Sequence, residues 1–143
     1  MLLPFRSVDG FGADKPGGTA CAHLRSDDLC GIHDRLADSG WPGCVAYDCR
    51  GAGQQVTQVT YAGRSWHEQD NLPEMAAVFS VMRVLHELLV RLEPVPDDPR
   101  SVRSRVLALT GGTPDDLLAL DLDQLEVEVA GAVEAVSGPG ARP

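Results

Sequence analysis

All four cysteines of this 143-residue chain fall in one stretch, at Cys21, Cys30, Cys44 and Cys49. Thiolate sulfur is a soft donor, and four such donors suit a tetrahedral zinc ion or an iron centre. The intervals between them, however, are not the tight paired Cys-x-x-Cys of a zinc ribbon. Spacing alone therefore leaves two readings at even odds, a shared metal site and separately buried thiols, because free cysteine is among the most buried residue types. His33, three residues after Cys30, can complete the ligand set, replace a thiolate or donate a hydrogen bond to one; the competing reading is a surface helix histidine. His23, two residues after Cys21, is an alternative ligand. Arg35 can favour thiolates by its charge, though a solvated helix charge explains it equally simply, and Tyr47 stands between Cys44 and Cys49.

Other chemistry finds less support. Gly51-Ala52-Gly53 lacks the lysine and spacing of a phosphate-binding loop and reads as a turn. His86-Glu87 lacks the second histidine of a zinc-protease helix, since Val90 stands in its place. No serine has a base and an orienting acid arranged around it, and four clustered cysteines argue against a cysteine protease. The acidic residues Asp115, Asp116, Asp121, Asp123, Glu126, Glu128 and Glu134 recur as the wet face of helices would.

The elements that must position the cysteines are mostly loops. Residues 1–20 are rich in glycine, proline and aspartate, with Leu3, Phe5, Val8 and Phe11 as apolar anchors. Ser26-Asp27-Asp28 offers a helix cap, and Leu29, Ile32 and Leu36 follow at helical spacing, which predicts a short helix of about ten residues ending at Ser39-Gly40. Cys30 and His33 would then lie one turn apart on it. Trp41-Pro42-Gly43 reads as a turn, Cys44 to Cys49 as a short extended or one-turn segment, and the β-branched run Gln55–Tyr61 as one strand or half a hairpin. From Asn71 the pattern becomes helical: Met75, Val78, Phe79, Met82, Leu85, Leu89 and Leu92 predict a long helix to Glu93. A second helix is predicted over Arg100–Leu109. Thr113-Pro114-Asp115-Asp116, a cap with proline at the first helical position, predicts one or two more to Gly138.

Composition bounds the class. A hydrophobic fraction of 43% supports a genuine core, and a net charge of −9 argues against nucleic acid and anionic membrane surfaces as partners. Lys15 is the sole lysine, as in a GC-rich bacterial gene. The N-terminal apolar run is too short for a secretory signal and no stretch is long enough to span a membrane, so the cytoplasm is the expected compartment, where structural disulfides are disfavoured.

The residues around the cysteines carry more than their spacing does. Cys21-x-x-Leu24, Cys30-Gly31-Ile32-His33-Asp34-Arg35-Leu36, Trp41-Pro42-Gly43-Cys44, Tyr47-Asp48-Cys49 and Gly51-Ala52-Gly53-Gln54, with Met82-Arg83-x-Leu85-His86-Glu87-Leu88-Leu89 downstream, resemble a bacterial cysteine-cluster family. That family is described as zinc- or iron-chelating, and the likeness is to its branch called pentapeptide-repeat-containing, over about residues 3–136. The family's opening Cys-x-x-Cys-x-Gly-x-Cys-Cys box is absent ahead of Leu3-Pro4-Phe5, and no pentapeptide run follows residue 136, so no β-helix is expected. In the broader family tyrosine often stands where His33 does, which favours a role for His33 beside a ligand rather than as one.

The resemblance implies metal, zinc or iron (iron–sulfur included), at Cys21, Cys30, Cys44 and Cys49, with His33, His23, Arg35 and Tyr47 beside it. The expected fold is mainly α: an irregular cysteine-rich region over residues 1–70, with a short helix and a small hairpin, packed on three to four helices over 71–137, then a disordered tail over 138–143. The expected function is metal binding. Its rivals are an interaction or assembly module with structural cysteines, meeting a protein partner or a second copy through helical faces, and a small metal-dependent redox enzyme acting on a peptide or metabolite.

Overall fold

Two kinds of chain follow one another in this protein, the first held by turns and ring contacts and the second by buried aliphatic side chains. The computed structural model describes residues 3–137, and the expected tail over 138–143 lies outside the described residues. Its internal contacts divide it between Asp48 and Cys49 into two compact units. The protein is mainly α, as its periodicity predicts, and among the described residues its β structure amounts to two isolated bridges, Phe5 with Lys15 and Leu24 with Cys30.

The first unit begins with the Phe5–Lys15 bridge, closed by backbone bonds of 2.9 Å in both directions around a 3₁₀ turn at Ser7–Asp9. Phe5 stacks on Phe11 with ring centres 4.6 Å apart, and Trp41 meets Phe5 edge-on at 6.0 Å. Gly43 donates its N–H to the Gly10 carbonyl at 2.7 Å. A Cβ on Gly43 would stand 2.8 Å from the Asp9 carbonyl oxygen, so only glycine allows this approach. α1, Pro42–Ala46, starts with proline in its first turn, where no backbone donor is needed, and joins part of the turn expected at Trp41-Pro42-Gly43 to the start of the segment expected over Cys44–Cys49. Ile32 and Trp41 are the buried hydrophobic side chains described in this unit.

The helix expected after Ser26 does not form. Residues 24–30 make a tight hairpin-like turn instead: Arg25 donates to Leu29 O and Gly31 to His23 O, while the Asp27 carboxylate accepts the Leu29 N–H. Asp28 sits in the left-handed region at φ 60°. The short aspartate side chains thus offer the backbone a local alternative to the helix, which is the usual competition at such residues. Helical geometry appears only as a 3₁₀ turn at His33–Arg35.

The second unit is built around α4, Leu72–Arg91. Met75, Val78, Met82, Leu85 and Leu88 are buried along one stripe, spaced by three and four residues, and Leu92 closes it. Asn71 stands at its N-cap position, but its side chain makes no capping bond. Against this helix pack α5 (Val102–Leu109), α6 (Pro114–Leu118) and α7 (Leu122–Ser137). Ser101 caps α5, accepting the Ser104 N–H at 3.1 Å. Thr113 and Asp116 form a reciprocal capping box at the start of α6, as the Thr-Pro-Asp-Asp signal predicts. Buried Thr110 is satisfied on both sides: its hydroxyl donates to Leu107 O, and its carbonyl accepts from the Gln55 side chain at 2.9 Å.

The strand expected over Gln55–Tyr61 is a helix. α2, Ala52–Gln54, runs into a π-helical segment, Gln55–Thr60, and together they pack on α4. Ala52, Val56 and Tyr61 are buried, at intervals of four and then five, and the longer step is the wide turn of the π segment. β-branched composition reads locally as strand, but with no neighbouring strand its backbone groups can be satisfied only within the segment. α3, Trp66–Gln69, fills the link to α4.

Candidate metal centre

All four cysteines are free thiols, and each is half-buried. Three of them belong to the first unit and Cys49 to the second. Cys21 opens a turn in which Leu24 N–H bonds back to its carbonyl; its sulfur also accepts the His23 backbone N–H at 3.4 Å. Cys30 ends the same hairpin-like turn, bridged to Leu24, and the His33 N–H reaches its carbonyl at 3.4 Å. Cys44 lies in α1, one turn from Trp41.

Burial pushes the Cys44 thiol pKa up, and the charges of Cys21 and Cys30 push it further in the same direction. Cys44 therefore feels the charges of Cys21 and Cys30, which the thirteen residues between Cys30 and Cys44 do not reveal. A cation beside Cys44 would act in the opposite direction. Among the described residues, no three histidine, cysteine, aspartate or glutamate side chains are arranged to hold a metal ion.

The other expected residues separate. His23 is half-buried, its ring edge-on to Trp41 at 5.1 Å. His33 and Arg35 are exposed on their 3₁₀ turn, and Tyr47 is 44% exposed. Cys49 precedes α2, its sulfur 3.8 Å from the side-chain oxygen of Gln54. Two residues without an expected role stand at this site. Lys15 lies 4.7 Å above the Phe5 ring and donates to the Pro16 and Thr19 carbonyls; burial lowers its pKa, and the Cys21 charge raises it. Trp41 forms one wall of a cleft of about 450 Å³ whose rim also carries Lys15, Cys21 and His23. Being the sole lysine, in a segment of glycine and proline, was the only signal Lys15 offered.

No helix of the described residues is long and apolar enough to cross a membrane. No family model matches the chain, and neither does a solved structure. The chain is 36% identical over 139 residues to the uncharacterized protein YybG of Bacillus subtilis (strain 168), covering 90% of this chain and 50% of that protein. It thus spans about half the length of the curated relative it matches, and what it resembles is a bacterial protein.

Proposed function

We propose that the protein binds a zinc or iron ion through cysteine thiolates, in the manner of the cysteine-cluster family it resembles. One observation carries the reading: the first unit holds three half-buried free thiols and, among its described residues, only Ile32 and Trp41 as buried hydrophobic side chains. Units this small and this poor in core usually need disulfides, a metal or assembly for stability. The thiols are free, so a metal is the staple that fits the residues present. Cys21, Cys30 and Cys44 supply the soft donors, with His23 beside them. Binding on this reading couples to closure of the turn at residues 24–30 and of α1 around the ion, as is usual where the ligands are not caged beforehand. A cytoplasmic location agrees with free thiols.

Elemental analysis of anaerobically purified protein, with its visible spectrum, tests this. Near-stoichiometric zinc without colour, or iron with broad thiolate absorption, is the expected result, and both Cys21→Ala and Cys44→Ala should abolish it. Protein that carries no metal and takes up none on addition would end the proposal.

A second reading, assembly with a partner protein or a second copy, draws on exposed apolar side chains, Val8, Leu29 and Val45 in the first unit and Leu107 and Val127 in the second. Gel filtration over a range of concentrations decides it: a strict monomer that captures no partner sets it aside.

A further inference from the structure

The second unit contains a cleft of its own, of about 380 Å³, walled by Arg50, His86, Leu89, Val90, Glu93 and Arg103. In a chain of net charge −9, two arginines lining one opening are conspicuous. Both are positioned by the fold. Arg50 has left-handed backbone, φ 53°, and is followed by Gly51 at φ 82°. Its carbonyl is pinned to α4 by the His86 ring, whose Nδ1 lies 2.6 Å away and must donate there, since a carbonyl only accepts. Arg103 rises from α5, one-third exposed, and is steadied at 2.9 Å by Asp97, which is itself 79% exposed and leaves the guanidinium other donors. Leu89 and Val90 follow His86 by three and four residues, so they share its face of α4 and give the cleft an apolar side.

We propose that this cleft binds a small organic oxyanion, a carboxylate or phosphate monoester carrying a short apolar chain. The oxyanion meets Arg50 and Arg103, whose planar forks of donors match carboxylate and phosphate oxygens. The chain lies along Leu89 and Val90. Glu93 is the one carboxylate in the wall, and its charge opposes the ligand's. It therefore limits affinity and disfavours ligands with a second negative group. His86 is a positioning residue that acts by holding the Arg50 turn. None of this depends on the thiols or on a metal.

The test is an amide-resolved NMR titration of the full chain with butyrate, butyl phosphate, inorganic phosphate and butylamine. Butyrate or butyl phosphate should give saturable shifts at residues 50–51, 86–93 and 103, more strongly than inorganic phosphate, and butylamine should give none there. Whichever of the two binds tighter identifies the oxyanion. Arg103→Gln and Arg50→Gln should each weaken binding roughly fivefold or more, while Glu93→Gln should tighten it. Those opposite signs separate recognition from a merely structural role, and an unchanged melting temperature for Arg103→Gln shows that the fold persists. Absence of saturable shifts, equal binding of butylamine, or unaltered affinity in both arginine variants would overturn the proposal.

Discussion

The two units solve the same problem, ordering a chain, with different materials. The second has a continuous core on α4, from Val78 and Met82 through Leu85 and Leu88 to Leu92, all at or near zero exposure. The first has a bridge, a phenylalanine stack, an edge-on tryptophan and glycines that let backbones touch. Burial of aliphatic groups is non-directional and adds up with area, so the helical unit tolerates much local variation. Ring contacts and close backbone approaches are few and specific, so the first unit depends on each of them. On the proposed metal reading, its three thiols would tie it together.

That contrast can be broken or sharpened by experiment. The largest expected effect is chelation. Structural zinc contributes on the order of 10 kcal/mol in small metal-dependent folds. If the proposed ion is bound, removing it should therefore collapse the Trp41 indole and His23 resonances while those of α4 persist; if both units respond alike, or neither does, the contrast fails. Next is Leu85→Ala, at a side chain with no exposure. It should cost about 2–5 kcal/mol and lower the calorimetric melting of the second unit by more than about 10 °C, with Trp41 unaffected. Gly43→Ala places a methyl against the Asp9 carbonyl at 2.8 Å. We expect a loss of about 1–3 kcal/mol in chemical denaturation, felt in the first unit alone.

Smaller effects belong to the helix caps. Ser101→Ala removes the acceptor for the Ser104 N–H and should cost about 1 kcal/mol, measurable as a shifted urea midpoint. Least of all is the titration of Asp116. Hydrogen bonds from the Thr113 hydroxyl and backbone hold its carboxyl below the ordinary aspartate value of 3.8. A depressed pKa contributes stability above the unfolded value and loses it as the pH falls through the folded one. The melting gap between wild type and Asp116→Asn should accordingly shrink as the solution is acidified below that range, and a gap constant in pH would remove the carboxylate from the capping box.

Legibility followed the same divide. α4 was plain from its apolar period, and the capping box from Thr113, Pro114 and Asp116, because those signals act over one or two turns. Gln55–Tyr61 misled, since β-branched residues favour strands only where a neighbouring strand exists, and here α4 offered a helical surface instead. The helix expected from Leu29 to its stop at Ser39-Gly40 failed through Asp27 and Asp28, whose side-chain and left-handed geometry turned the chain back on itself. For the candidate site, the sequence supplied the thiols, but nothing in the spacing placed Lys15 and Trp41 beside Cys21.

What the sequence determined by itself is local: the amphipathic stripe, the caps, and four soft donors concentrated in one stretch. Tertiary structure decided which thiols share a unit, since Cys44 feels Cys21 and Cys30 across long intervals while Cys49, only five residues after Cys44, belongs with the helices. It also gathered Arg50, His86 and Arg103 around one cleft. The physical reason is that period and capping act between residues a turn apart, whereas charges and pockets are set by distances in space that chain separation does not encode.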